Sequence, residues 1–142
     1  MSVLKVLIFP DQRLRTVAKP VRTINEGIKK LVNDLQETMY KGRGIGLSAT
    51  QVNIHKRIMV IDVSPEKDSP LTLINPEINI IEPKEKKISE EGCLSVPGFY
   101  EEVERPSKIN VIALNEEGGK INIKAEGLLA VAIQHEMDHL EG

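Results

Sequence analysis

The 142-residue sequence lacks the features of several common protein classes. Its single cysteine cannot form a disulfide within the chain, so that thiol is inert, reactive or bound to a metal. Aromatic residues make up 3% and tryptophan is absent, so the core must consist mainly of aliphatic side chains. No apolar run approaches the ~18 residues of a membrane span, and Lys5 and Pro10 interrupt the N-terminal apolar run before it reaches signal-peptide length. We therefore expect a soluble, cytoplasmic protein with no membrane association.

The net charge argues against one kind of ligand, and the chain length indicates the number of domains. A formal net charge of −2 leaves no basic surface for a phosphate backbone, so nucleic acid is not an expected ligand. The composition, 40% hydrophobic and 28% charged, is that of an ordinary globular chain. Chains of roughly 100–200 residues usually bury one core. We expect one domain spanning residues 1–142, working as a monomer.

An amphipathic helix is predicted in the first third of the chain. Thr23 and Glu26 fit a capping box, in which each side chain bonds the backbone N–H of the other residue. The apolar residues that follow recur every three or four positions, which is the spacing of one helix face. They are Ile24, Ile28, Leu31, Leu35 and Met39. A cluster of glycines, at positions 42, 44 and 46, ends this helix.

Strands dominate the middle of the chain. Residues 4–9 fit an edge strand or an extended arm, and the charged run 84–87 fits a solvated edge or turn. Residues 89–98 contain Cys93 between glycines and are predicted to form a loop. Further strands are predicted at 57–63, 71–75, 78–81, 99–104, 108–114 and 121–125. With a last helix from about Gly127, this order indicates an α+β fold whose antiparallel or mixed strands pack around the C-terminal helix.

The last helix carries a metal-binding pattern. His135 and His139 are four residues apart, so they lie on one face of a helix and their imidazoles can converge on one metal ion. Glu136 points about 100° away around the helix axis, where its carboxylate can take a proton from a metal-bound water. The same pattern also occurs by chance in exposed, charged helices, so other parts of the chain must decide its meaning.

Three motifs occur along the chain in a recognisable order. They are Gly44-Ile45-Gly46-Leu47-Ser48-Ala49-Thr50-Gln51, Glu91-Gly92-Cys93-Leu94-Ser95 and Gln134-His135-Glu136-Met137-Asp138-His139. The glycines of the first follow a helix rather than a strand, and no Gly-Lys-Ser/Thr lies nearby, which argues against a phosphate-binding loop. On these motifs the chain resembles the bacterial peptide deformylases, from its N-terminal segment to Gly142.

The resemblance implies a metal centre and a reaction. Its metal ligands would be the Cys93 thiolate, His135 and His139, with water as the fourth ligand. The metal would be Fe²⁺, with Ni²⁺ or Co²⁺ as good substitutes and Zn²⁺ as a poor one. The reaction would remove the formyl group of N-formylmethionyl nascent peptides and release formate. Glu136 would act as general base and then as acid, and the Gln51 amide and the Leu94 backbone N–H would donate to the formyl oxygen.

Substrate contacts are partly predictable from helix geometry. Leu128, Val131 and Ala132 lie seven, four and three residues before His135, hence on the same helix face. Taken singly, each is equally well explained as a core residue. The resemblance implies that with Ile45 they line a pocket for the methionine side chain, and that the peptide backbone pairs along residues 44–46, including Gly46.

Two departures from the family and two alternatives bear on this assignment. Ser48 replaces the usual alanine, which we expect to be tolerated if its hydroxyl faces a backbone acceptor or solvent. Family members continue beyond the position of Gly142 into another helix, so we expect the last helix here to lack that packing partner and ribosome docking through it to be absent. A zinc endopeptidase is one alternative, but its third ligand normally follows the helix. A deformylase-like peptide-binding module without turnover is the other, and the intact Glu136, Gln51 and Cys93 argue against it.

Overall fold

Two helices and seven strands make up most of the part of the chain that the structure, a computed structural model, describes, namely residues 2–81 and 85–142. In chain order they are α1 (Glu26–Lys41), β1 (Gly46–Ser48), β2 (Ile58–Ile61), β3 (Leu71–Ile80), β4 (Lys86–Cys93), β5 (Val96–Pro106), β6 (Lys108–Leu114), β7 (Lys120–Glu126) and α2 (Gly127–Glu141). Short 3₁₀ helices occupy Gln12–Arg15 and Ala49–Val52. This arrangement confirms the α+β prediction. Neither helix is both long enough and apolar enough to cross a membrane.

The strands form two antiparallel sheets. Five strands make the larger sheet, in the order β1-β2-β3-β6-β7, and β4 pairs with β5 alone. β1 is therefore an edge of the larger sheet, paired on one side through Gly46 opposite Ile61. The β4–β5 hairpin extends from the body of the fold as a separate ribbon.

The helices cover opposite faces of the larger sheet. One apolar cluster joins α2 residues such as Ile133 and Leu140 to Met59 and Ile61 of β2. The other joins Leu35 and Met39 of α1, among others, to the alternate β2 residues Ile58 and Val60. All four β2 residues are buried as a result, which explains their uninterrupted apolar sequence. Both helices are anchored to one shared sheet.

The structure corrects the predicted start of α1. Its N-cap is Asn25, whose side chain accepts a hydrogen bond from the Ile28 N–H at 3.0 Å. Thr23, the predicted cap, lies before the helix, and Glu26 is its first residue. Asparagine is as favourable an N-cap as threonine, and here the Asn25 side chain takes that role two residues after Thr23. Of the predicted apolar face, Ile28, Leu35 and Met39 are buried.

Three other segments differ from their predictions. Residues 4–9 form no strand, so the extended-arm alternative is correct. The strands predicted at 71–75 and 78–81 are the single strand β3, which has a register shift between Ile74 and Glu77. Pro76, which has no N–H to donate, fits within that irregularity. Residues 89–98 are a hairpin rather than a loop, because β4 and β5 pair as far as Cys93 and Val96.

Other predictions agree closely with the structure. The strand at 108–114 is β6, and the last helix begins at Gly127 as expected. The charged run 84–87 lies partly outside the described residues. Within it, Lys86 and Lys87 begin β4 and are exposed.

Candidate active site

The two predicted histidine ligands lie on α2 and the predicted cysteine ligand lies at the end of β4. One donor atom each from Cys93, His135 and His139 lies within 4.8 Å of the others. The Cys93 Sγ is 3.3 Å from Nε2 of His139. The structure therefore brings together three residues that are up to 46 positions apart in the sequence.

The protonation of this cluster suits a cation. Burial, followed by the nearby His135, lowers the pKa of His139 to about 4, so its imidazole is neutral and keeps a lone pair. Burial also raises the pKa of the Cys93 thiol, and a bound cation would reverse that effect by favouring the thiolate. Nε2 of His135 is buried and has no hydrogen-bond partner among the described residues. The donor set fits a divalent metal that accepts sulfur and nitrogen ligands.

Glu91 orients the imidazole of His135 through the ring nitrogen Nδ1. Its Oε1 lies 3.0 Å from Nδ1 of His135, and its carboxylate binds Arg105 through two hydrogen bonds of 2.6 and 2.9 Å. Burial acts to raise the pKa of Glu91, but the bonds from Arg105 and His135 outweigh it and hold the pKa below its usual value. An ionised carboxylate only accepts, so Nδ1 donates to it and Nε2 keeps the lone pair. This fixes the His135 tautomer that can bind a metal.

Glu136 lies beside this cluster in a buried position. Burial, followed by the charges of Glu91 and Asp138, raises the pKa of its carboxyl to about 8. Its Oε1 has no hydrogen-bond partner among the described residues. A Cβ atom at Gly46 would lie 2.7 Å from the Glu136 Oε2, so only glycine at position 46 leaves room for this side chain.

Gln51 lies in the 3₁₀ helix that follows β1 and reaches the cluster from the side of the larger sheet. Its Oε1 accepts from the backbone N–H of Ser48 at 3.0 Å and from the Ser48 hydroxyl at 3.1 Å. Its Nε2 lies 3.4 Å from Cys93 Sγ and 3.1 Å from Ser95 Oγ. These contacts fix which end of the amide faces the cysteine. Ser48 is buried and its hydroxyl donates to the Gln51 side chain, so neither condition named for its tolerance is met, and the hydroxyl helps to orient Gln51 instead.

Leu94 lies in the turn between β4 and β5. Its side chain packs so closely over Gly42 and Gly44 that a Cβ atom at either glycine would lie 3.0 Å from it. Glycine at these positions therefore lets the hairpin turn approach the segment that precedes β1. The contact brings Leu94 to the same cleft as Gln51 and Glu136.

These groups meet in a cleft of about 460 Å³. Ten of the eleven predicted site residues line it. They are Ile45, Gly46, Gln51, Cys93, Leu94, Leu128, Val131, Ala132, His135 and Glu136. His139 instead lines a neighbouring pocket that shares Cys93 and His135 with the cleft. Val131 and Ala132 are buried, whereas Leu128 is 53% exposed. On the α2 side, the cleft thus has an apolar wall next to the metal-binding and catalytic candidates.

Several residues of the site have no counterpart in the sequence prediction. Glu91 and Ser95 belong to a quoted motif, but their partners were not predictable from it. Arg105 lies in no motif, although it joins Glu91 to Asp138, 3.0 Å away on α2. The mouth of the cleft also includes Arg43 and Tyr100. In the sequence, only the opposite charges of Glu91, in the second motif, and Arg105, in a later strand, could have indicated that the two residues pair.

Comparisons with known proteins agree on one family. The sequence model of the polypeptide deformylase family matches residues 3–142. The chain is 58% identical to a peptide deformylase of Cellvibrio japonicus, over 100% of this chain and 83% of that protein, and 54% identical to one of Azotobacter vinelandii, over 100% and 84%. Among solved structures, a peptide deformylase from Legionella pneumophila superposes with a TM-score of 0.92 at 45% identity, covering 99% of this chain and 82% of that one. One from Ehrlichia chaffeensis, in complex with actinonin, gives 0.94 at 44% identity, covering 99% and 85%.

Proposed function

The chain belongs to the polypeptide deformylase family, and from that premise we propose that its cleft binds the formylated N-terminus of a peptide and that Glu136, Gln51 and Leu94 act on the formyl group. The enzyme is a hydrolase that removes the N-formyl group from nascent peptides. One observation carries the assignment of roles: the buried Glu136 carboxyl and the Gln51 amide line the same cleft as Cys93 and His135, and the donor atoms of these two residues and of His139 lie within 4.8 Å of one another.

Cys93, His135 and His139 would hold the metal. Their one sulfur and two nitrogen donors suit iron, nickel, cobalt or zinc better than the oxygen-seeking Mg²⁺ or Ca²⁺. We propose Fe²⁺ in the working enzyme, with Ni²⁺, Co²⁺ or Zn²⁺ able to replace it. Such a metal, when bound, supplies a Lewis acid and lowers the pKa of a coordinated water.

Glu136 would move the proton of the reaction. Its carboxyl is desolvated and its Oε1 has no partner among the described residues. In its ionised form it can accept a proton from the attacking water and then deliver it to the nitrogen that leaves. Because Gly46 passes so close to Oε2, the same strand that would bind the peptide backbone also confines the base.

Gln51 would stabilise the charge that develops on the formyl oxygen. The two hydrogen bonds from Ser48 hold its carbonyl end, which leaves the NH₂ group directed to the Cys93 side of the cleft. Donors that are already oriented need no reorganisation when the charge appears. The backbone N–H of Leu94 would be the second donor, placed by the packing of its side chain over Gly42 and Gly44.

The apolar wall of α2 would select the methionine side chain. Val131 and Ala132 are buried beside the cleft, Leu128 is at its mouth, and Ile45 faces them from the segment before β1. An apolar pocket suits the flexible thioether side chain. The peptide backbone would extend along residues 44–46, on the side of β1 away from β2.

We propose that the substrates are N-formylmethionyl nascent peptides and that the enzyme acts as a monomer in the cytoplasm, with residues 1–142 as one catalytic domain. The zinc-endopeptidase alternative needs a third ligand after the HExxH helix, whereas the third donor atom here comes from Cys93, upstream of it.

Formate release from formyl-Met-Ala, by protein prepared without oxygen and loaded with Fe²⁺ or Ni²⁺, tests this function. Oxygen is excluded because a thiolate beside ferrous iron is prone to oxidation. We expect metal-dependent release that is lost in Glu136→Ala, although that variant should stay folded and bind metal. Release by Glu136→Ala at the parent rate, or none from folded, metal-loaded parent protein, would contradict the proposal.

A further inference from the structure

A buried carboxylate outside the catalytic cluster, that of Asp62, lies immediately after β2 and is 1% exposed. It accepts a hydrogen bond from the Tyr40 hydroxyl at 2.6 Å. It also accepts from the backbone N–H groups of Ser64, at 2.9 Å, and Ser69, at 3.1 Å, and from the Ser64 hydroxyl. The bonds from Ser64 and Ser69 close the loop that leads to β3. The bond from Tyr40 has a different effect, because Tyr40 belongs to the last turn of α1.

The pair is a charged acceptor and a neutral donor at neutral pH. Burial acts to raise the pKa of Asp62, but its hydrogen bonds outweigh this and lower the pKa to about 2. Burial, then the bond to Asp62, raises the pKa of Tyr40 to about 12. A hydrogen bond to an ionised acceptor is stronger than one between neutral groups, so the link between these two elements is a firm one.

Tyr40 and Asp62 lie in space beside the two ends of residues 42–45, the segment that precedes β1. At its start, the Gly44 N–H bonds the carbonyl of Met39, next to Tyr40, at 3.0 Å. At its end, the Asp62 N–H bonds the carbonyl of Ile45 at 2.8 Å. The side-chain bond between Tyr40 and Asp62 therefore joins the two anchors of residues 42–45.

Residues 42–45 are conformationally costly to hold in one form. They include Gly42 and Gly44, and Arg43 between them has a φ of 58°, a left-handed conformation that is costly for a side-chain-bearing residue. Glycine-rich chain also loses more conformational freedom on ordering than other sequences do. If the segment is already ordered in the free protein, ligand binding does not have to supply the free energy of ordering it.

We propose that Tyr40 and Asp62 are positioning residues that hold residues 44–46 in the extended form to which the substrate backbone binds. The inference rests on the proposed function, in which the peptide pairs along this segment. Neither residue lines the cleft, so both act through the main chain that they anchor. Their contribution falls on peptide binding rather than on the chemistry at the formyl group.

Tyr40→Phe tests the hydrogen bond to Asp62, because it removes the hydroxyl. It keeps the ring, which packs against the apolar cluster that joins α1 to β2. Ser64→Ala is the matched control, since it removes another hydroxyl bound to the same carboxylate and leaves α1 joined to β2. With metal-loaded protein, we expect Tyr40→Phe to raise KM for formyl-Met-Ala-Ser about tenfold and to leave kcat near the parent value. The rise should be smaller for formylmethionine amide, which has fewer backbone groups to pair. Ser64→Ala should leave both KM values at the parent level.

Amide hydrogen exchange gives a second measurement that needs no turnover. The Gly44 and Asp62 amide protons should exchange faster in Tyr40→Phe than in the parent or in Ser64→Ala. Unchanged exchange, or a KM that rises equally for both substrates, would overturn the positioning role and leave only a contribution to stability. Absence of formate release by the parent would remove the proposed function instead, and the exchange comparison would still decide whether the pair orders the segment.

Discussion

The two walls of the cleft are built in different ways. The α2 wall belongs to the core: the buried residues of this helix include Ile133 and Leu140, which have no exposed surface. The opposite wall is the β4–β5 hairpin, a two-stranded ribbon most of whose residues are exposed or only partly buried. The candidate metal cluster takes two histidines from the first wall and Cys93 from the second.

The comparison shows that fold stability and site geometry depend on different contacts. The hairpin is held near α2 by Arg105, which bonds both Glu91 and Asp138. Gln51 bonds Cys93 and Ser95 from the main sheet side. Since these contacts are polar and lie outside the two apolar clusters, removing one should alter the site well before it unfolds the chain.

The largest effect is expected at Gln51, which joins the sheet side to the hairpin. Gln51→Leu keeps much of the side-chain volume but removes the donor proposed for the formyl oxygen. Loss of one such donor typically lowers kcat by about 10²–10³. Steady-state kinetics with formyl-Met-Ala, beside a metal analysis showing normal metal content, would check this. Near-parent turnover would exclude Gln51 from catalysis.

Matched isoleucine substitutions compare the stability of the two walls. Ile133 on α2 is completely buried, whereas Ile88 on β4 is 61% exposed. Ile133→Ala should lower the free energy of unfolding by about 2–5 kcal/mol, and Ile88→Ala by less than about 0.5 kcal/mol. Denaturant unfolding of both variants measures the difference. Similar losses would show that the hairpin is part of the cooperative core.

Arg105 tests how far metal binding depends on the hairpin wall. Arg105→Met keeps the apolar stem but removes the guanidinium, so Glu91 loses its strongest partner and orients His135 less firmly. Loss of a group that orients a metal ligand commonly lowers metal affinity about 10–100-fold. Metal affinity is measured by competition with a chelator. Arg13→Met is the control, because Arg13 pairs with Asp11 at an exposed position, and equal affinity in both variants would contradict the prediction.

The sequence predicted the α2 wall better than the hairpin wall. The four-residue spacing of His135 and His139 and the start of the helix at Gly127 follow from local periodicity, which a helix preserves. The strand predicted at 99–104 lies within β5, but residues 89–98 of the hairpin were predicted as a loop because of their glycines. Gly92 instead leaves room for the ring of Tyr100 on the paired strand, where a Cβ atom would lie 2.6 Å from that ring. A contact across two strands leaves no local pattern in the sequence.

The supporting residues of the site illustrate the same limit. Glu91 precedes Cys93 by two positions, yet its partners Arg105 and His135 are 14 and 44 residues away. Ser48, noted in the sequence only as a replacement of the usual alanine, donates to Gln51 because the intervening turn brings position 51 back to it. The roles of the predicted site residues stay predictions, whereas their placement at the cleft and the adjoining pocket is a property of the fold.

The smallest effect is expected at Asp138, which shares Arg105 with Glu91. Its side chain is 68% exposed, whereas that of Glu91 is 6% exposed, so solvent and salt screen the Asp138 pair far more. Exposed ion pairs contribute about 0–1 kcal/mol, and Asp138→Asn should therefore change metal affinity by less than the ~10-fold lower bound given for Arg105→Met. The same chelator competition, at low and high salt, measures it. If Asp138→Asn weakened metal binding as much as Arg105→Met, the exposed pair rather than Glu91 would tie the hairpin to α2. Metal binding would then depend on a contact that salt can remove, and the orientation of His135 by Glu91 would not be what joins the two walls.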